Sequence, residues 1–600
     1  MTTPPGFSSN GLHLELATRR MRGALIGGRH PWRGWEWARA APAWSLAALL
    51  LLASGWTVLS AGTAVWFPLL LFVGGVATMI AARVFAHGKA RVVAEVAAVG
   101  LLLAGPLLFV VNADADTLGV YRRTLLFVLA GLGVMTAALC TAWWSRDVRW
   151  LWLPLVVPFG VAAFVSGLAF RVMFEAAVPE GDVATFQSGY RWMPVLAYCW
   201  TWFGFLTGMF SAGLRAIETD PVRWGYLDTP TGRFRFAVMA WRTRQLVQPV
   251  VLIAGIAAVV AAARVFDVIL IGIPSAYQYD SDSATVRWWR LLTTEGPERV
   301  GTYSVPLAVL VGVCAYALWQ AGGARELRLP PHPSAYEAYG ARRAGRLATG
   351  FAVLMAVVSV APLLMLAWVS MRRPDGLGPP AIGRVWQAGL PSTLGLTALV
   401  ATVATVLAVS AALPVARWLS ATPSDTWPVR LVVTALVVLA VLPAQMYLGP
   451  IDAVSESFGL SGTQYPLMLV HGAAGLPVSV LILRGAMRAA EENPSSAALH
   501  GLARPGAVAR RLWDGAGRAV VTAAVLEFIL VWNDFFVSLM ISGAGVSPWS
   551  LLLWGEARQY EENLPQLAAG SLVFAIVPVL LLLATWRRFL VPGLTGGALR

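Results

Sequence analysis

Apolar runs of about 20 residues recur along the whole chain, each long enough to cross about 30 Å of hydrocarbon. They occupy residues 43–60, 64–82, 92–111, 124–144, 150–170, 192–213, 249–271, 304–320, 348–370, 391–416, 429–449, 465–483, 519–541 and 566–586. A β-barrel would show short alternating segments instead. Composition agrees: 58% of the 600 residues are hydrophobic and 13% are charged, too little charge to cover a soluble protein of this length. The expected fold class is an all-α polytopic membrane protein of about 14 transmembrane helices.

The net charge of +14 is carried almost wholly by arginine, and its placement gives a topology rather than nucleic-acid binding. With the N-terminus inside, the inner loops hold Arg83, Lys89 and Arg91, then Arg146 and Arg149, then the arginines from Arg215 to Arg244. Farther on they hold Arg325 to Arg346, Arg417 and Arg430, Arg484 to Arg518, and Arg587 and Arg588. The outer loops are acidic or mixed, with Asp114, Asp116, Glu175, Glu180, Asp182, Asp280, Asp282, Asp452, Glu456, Glu556, Glu561 and Glu562. Arg122–Arg123 and Arg372–Arg373 are exceptions at span ends. The positive-inside rule then puts both termini in the cytosol. Residues 1–42 form a basic segment with Trp32, Trp35 and Trp37, suited to a cytosolic tail at the membrane interface.

Two inner loops look like copies of one device. Residues 214–246 and 483–520 are Arg-rich and moderately polar, and each leads into an apolar segment bearing an acid, ARVFDVIL at Asp267 and FILVWNDFF at Asp534. An even number of spans separates the loops, so the two halves share one orientation. Two homologous halves related by a pseudo-two-fold axis along the membrane normal are expected, unlike inverted-repeat transporters. The expected division is an N-terminal segment 1–42, extra helices 43–120, a first core 121–340 with loop 214–248, and a second half 341–600 with loop 484–518.

Lys89 is the one lysine, and Gly88-Lys89 is followed by Ala90. A phosphate-binding loop of the form G-x-x-x-x-G-K-[ST] cannot be completed there, so ATP and its Mg are expected on a partner chain, with no cofactor or metal on this one. Cys140, Cys199 and Cys314 lie in apolar runs and are expected to be small buried residues with no disulfide or metal spacing.

These residues resemble the membrane subunits of binding-protein-dependent ABC importers of the carbohydrate type, such as maltose and glycerol-phosphate permeases. WLWLPLVVPFGVAAFVSGLAFRVMF at 150–174, WTWFGFLTGMFSAGLRAI at 200–217 and VFDVIL at 265–270 resemble the first subunit type. LVHGAAGLPVSVLILRGAM at 469–487, VWNDFF at 531–536 and RRFLVPGLTGGALR at 587–600 resemble the second. The resemblance covers roughly residues 120–600. It implies one chain acting as two fused permease subunits in a bacterial cytoplasmic membrane. Its implied partners are a cytosolic ABC ATPase dimer, an extracytoplasmic solute-binding protein, membrane lipid and a small solute, a sugar or sugar derivative.

In that family each subunit grips the ATPase through a loop with the pattern E-A-A-x-x-x-G. Here Asp228 keeps the acid of the first loop, while Arg223, Trp224, Gly225 and Thr229 replace its other positions. Gly501 keeps the glycine of the second, with Ser495, Ser496 and Ala497 at E-A-A and His500 at the acid. The resemblance thus places ATPase coupling on Asp228, Phe236, Ser495, Ala497, His500 and Gly501. A secondary transporter or channel without an ATPase, and a degenerate scaffold, are the alternative functions.

Acids inside spans usually turn inward and serve function, which makes Asp267, Glu527 and Asp534 candidates for a substrate pathway. Trp202, Phe266, Trp532 and Asn533 complete the candidate set, the aromatics as stacking surfaces for a sugar. Arg264, three residues before Asp267, is positioned to pair with it on one helix face. His471 is expected to be a packed or hydrogen-bonded histidine.

Overall fold

The computed structural model describes residues 34–85, 88–145, 148, 150–178, 183–218, 235–292, 294–295, 297–322, 345–373, 376–422, 426–491, 505–542, 546–557 and 560–595. They form an all-α multi-pass membrane protein. The first helices are α1 (Gly34–Ser60), α2 (Thr63–Phe85), α3 (Gly88–Asn112) and α4 (Ala115–Trp144). Next come α5 (Trp152–Gly160), α6 (Ala163–Ala177), α7 (Val183–Glu218), α8 (Arg235–Ala263), α9 (Asp267–Gly272), α10 (Ala284–Leu292) and α11 (Pro297–Gly322). The remainder holds α12 (Arg346–Ser370), α13 (Leu390–Ala421), α14 (Trp427–Val441), α15 (Leu448–Ser457), α16 (Gln464–Glu491), α17 (Pro505–Trp532), α18 (Phe536–Ile541) and α19 (Tyr560–Thr585). Arg372–Arg373 and Gly376–Leu377 make a short antiparallel pairing.

Every apolar run named above falls on helix, but several runs are broken. The chain bends by 106° between α5 and α6, just after Pro158. Residues 264–266 interrupt the run 249–271, between α8 and α9, and residues 533–535 interrupt the run 519–541, between α17 and α18. Leu442 leaves α14 in an extended conformation, φ −62° and ψ 124°, because Pro443 disfavours a helical residue before it and supplies no N–H. Breaks of this kind shorten the helices. Among the described residues, eight helices are long and apolar enough to cross a membrane, or nine if the bent α5–α6 pair is one span.

Two helix sets share one packing scheme. α4 packs on α7 and α8, as α13 packs on α16 and α17; α6 packs on α9, as α15 packs on α18. Small residues permit the closest of these approaches. A Cβ on Gly167 of α6 would lie 3.1 Å from the Val268 Cα of α9, and one on Gly272 would lie 3.1 Å from the Gly167 carbonyl oxygen. The sets also interlock. α11 packs on α14, while α19 packs on α5 and α6. α12 lies against α5, α6 and α19, and α1 lies against α11, α13, α15 and α16. α1 is thus seated in the main bundle, where the Thr57 hydroxyl donates to the Met446 carbonyl at 2.6 Å. α2 and α3 pack on each other, and α2 touches α11.

One side-chain placement differs from expectation. Cys140 is exposed on α4, and no described cysteine is paired; its side chain lies on the outward face of an apolar helix. Arg123, an exception to the charge pattern, donates through Nε to the Asp282 carbonyl oxygen at 2.9 Å.

Candidate translocation site

The four breaks meet where the two helix sets touch. A helix that stops inside an apolar layer leaves carbonyls without partners, and something must donate to them. α5 ends at Gly160, and its carbonyl accepts the Asn533 amide Nδ2 at 3.1 Å. α14 ends at Val441, and the next carbonyl, Leu442, accepts the Arg264 guanidinium Nη2 at 2.9 Å. In both cases the donor is the residue just past the end of a long helix in the other set.

Each acid sits at the break that follows its long helix. Asp534 caps α18, accepting from the Ser538 N–H at 2.9 Å and the Val537 N–H at 3.4 Å. This orientation satisfies N-terminal amides and favours negative charge there. His471 of α16 is buried, with Nε2 3.6 Å from Asp534 Oδ2, beyond hydrogen-bond length. Asp267 opens α9 and interacts electrostatically with Asp534. Arg264 does not lie along one helix face with Asp267, because α8 stops at Ala263 and the guanidinium crosses to Leu442.

Aromatic rings fill the contact. Phe266 lies 4.6 Å from Phe536 and 6.0 Å from Phe535, and Phe164 lies 5.3 Å from Phe574. Beside them is a cavity of about 120 Å³ lined by Tyr198, Thr201, Trp202, Arg264, Phe266 and Asp267, among others. Trp202 packs edge-on against Phe159 at 5.4 Å.

Of the seven candidate pathway residues, Trp202, Phe266 and Asp267 line this cavity. Asn533 and Asp534 stand at the neighbouring break, and the buried Asn533 Oδ1 has no hydrogen-bond partner. Trp532 is occupied within its own set, its indole N–H donating to the Phe574 carbonyl at 3.1 Å. Glu527 is 5% exposed and lies against Gly475 of α16, away from the cavity lining. Tyr447, which sequence reasoning missed, is buried beside Arg264 and within electrostatic reach of Asp534 and Glu527. Its signal was Pro443, whose break brings the following turn into the site.

The coupling candidates Asp228, Ser495, Ala497, His500 and Gly501 lie outside the described residues. Phe236 falls in the first turn of α8.

A buried ion network closes the chain outside the spans. Asp282, with no exposed side-chain surface, lies 3.2 Å from Arg290 Nε and 3.5 Å from Arg287 Nε. Arg287 also bonds Asp116 at 3.0 Å and covers the Tyr279 ring at 4.0 Å. Burial pushes the Asp282 carboxyl up to about 6, although Arg290, Arg287 and Arg123 pull it down. Asp114 caps α4 by accepting the Thr117 N–H at 2.8 Å, and the hydrogen bonds from Thr117 hold its carboxyl below the usual range.

Helices that cross a membrane and break beside acids at one internal seam define a multi-pass membrane protein with a polar interior site. No family model matches the chain. It is 28% identical over 283 residues to the trehalose transport system permease protein SugB of Mycobacterium tuberculosis, covering 44% of this chain and 99% of SugB. It is 30% identical over 179 residues to the osmoprotective compounds uptake permease protein GgtD of Synechocystis, covering 29% of this chain and 60% of GgtD. The alpha-glucoside transport system permease protein AglG of Rhizobium meliloti is 30% identical over 185 residues, covering 29% of this chain and 48% of AglG. These matches make the chain a relative of sugar ABC-transporter permeases.

Proposed function

We propose that this chain is the permease of an ABC importer, combining two permease units in one polypeptide and forming the passage for a small solute of the sugar class. The observation that carries the reading is the meeting of matched helix breaks from two helix sets, with Asp267 lining a small cavity and Asp534 at the neighbouring break. The names of the relatives support the solute class. The shared packing scheme of the two sets supports two homologous units related along the membrane normal, and the arginine-rich inner loops support cytosolic termini. Alternating access follows from rocking one set against the other. ATP and Mg belong to a separate cytosolic ATPase dimer, which engages the loops 214–248 and 484–518, and a solute-binding protein delivers the solute.

The test is uptake of radiolabelled trehalose and related glucosides by cells expressing this chain together with an ABC ATPase and a solute-binding protein from the same genome. Uptake abolished by Gly501→Glu at unchanged membrane insertion, with loss of the ATPase from pull-downs, is the expected result. Asp228→Ala, which removes a single charge from the loop, should weaken docking less than Gly501→Glu. Normal uptake and a retained ATPase in Gly501→Glu reduce the loop to a connector. Uptake that persists without any ATPase assigns the chain to secondary transport.

A further inference from the structure

The two hydrogen bonds across the seam are reciprocal. Arg264, first residue past α8, donates to Leu442 at the end of α14. Asn533, first residue past α17, donates to Gly160 at the end of α5. Each set therefore caps the other's broken helix. Neither acceptor is left over by chance: both carbonyls end helices in apolar surroundings, where an unmet acceptor is costly.

We propose that Arg264 and Asn533 form a paired clasp that holds the seam shut, and that both bonds must break for the passage to open. The geometry around them fits a closed state. Phe266, Phe535 and Phe536 pack across the same seam. The adjoining cavity, about 120 Å³, is smaller than the roughly 300–1,000 Å³ of sites that enclose small ligands. Each donor replaces the partner that a continuous helix would have supplied, so the bonds hold only while the sets stay in register. A rigid-body separation breaks both together, which makes opening cooperative rather than gradual. Arg264 and Asn533 act as positioning residues, since they hold backbone rather than solute.

The clasp rests on the permease reading only in taking the seam as the passage, and its test needs neither ATPase nor solute. The probe is a cysteine at the cavity wall, Thr201→Cys, in the full-length chain with Cys140, Cys199 and Cys314 replaced by alanine. Its labelling rate with a charged, membrane-impermeant methanethiosulfonate is measured in liposomes. Losing one neutral donor should raise the open fraction roughly tenfold in Asn533→Leu, and losing a charged donor up to roughly a hundredfold in Arg264→Met. Arg264→Lys, which keeps a donor, should restore most of the slow rate. Melting temperature and yield are compared in parallel, and Asn533→Leu serves if Arg264→Met does not fold. Unchanged labelling in a folded Asn533→Leu chain, or no labelling in any variant, overturns the clasp. Sugar uptake driven by an ATPase would survive that result, so the two readings fail separately.

Discussion

Gly475 and Glu527 offer a direct measurement of how tightly α16 and α17 are packed. Glu527 is 5% exposed, and a Cβ built on Gly475 would fall inside its carboxyl group. In Gly475→Ala one of the two helices must shift, or the carboxyl must turn into surroundings with little free space. Overpacking of this kind costs about 1–3 kcal/mol. Glu527→Ala removes the obstructing group, so adding Gly475→Ala to it should cost no more than about 0.5 kcal/mol. The two changes are then coupled by about 0.5–3 kcal/mol, the usual span for contacting residues. Reversible unfolding of the four proteins in mixed micelles, followed by tryptophan fluorescence, gives the cycle. An equal cost for Gly475→Ala in both backgrounds would refute the reasoning and place the Glu527 carboxyl away from Gly475. Uptake measured on the same proteins separates packing from passage: a Glu527→Gln chain of normal stability and normal uptake makes this acid a packing element.

Asp114→Ala should lose the cap on α4 and destabilise the chain by about 1 kcal/mol, read as a lower melting temperature at pH 7. Thr57→Val should cost about 0.5–1.5 kcal/mol if α1 is tied into the bundle through Met446; no loss would leave α1 a peripheral helix. For Asp282 the folded carboxyl titrates near 6 against 3.8 in the unfolded chain, so the folded state binds the extra proton. Stability relative to Asp282→Asn should be greatest below about pH 4 and be lost as pH rises through about 6, by of order 1–3 kcal/mol. Melting curves of the two proteins that run parallel from pH 4 to 7 would remove burial as the dominant influence.

Membrane residence, the helical class and the relation to sugar permeases were all legible in the sequence. They depend on run length, charge placement and local strings such as VWNDFF, which one strand of text contains in full. The acids Asp267 and Asp534 were legible too, because a charge inside an apolar run is conspicuous wherever the run lies. Pro158 and Pro443 marked breaks in principle, yet runs of suitable length concealed how sharply the chain turns there. Only the tertiary structure decided what the breaks do. Arg264 looked like the neighbour of Asp267 because they stand three residues apart, a contact that exists only on an unbroken helix. With α8 stopped at Ala263, the guanidinium crosses the seam to Leu442 instead. Likewise, nothing in the local sequence says that the partner of Asn533 is Gly160, because hydrogen bonds between distant breaks depend on how two helix sets pack, not on the spacing within either.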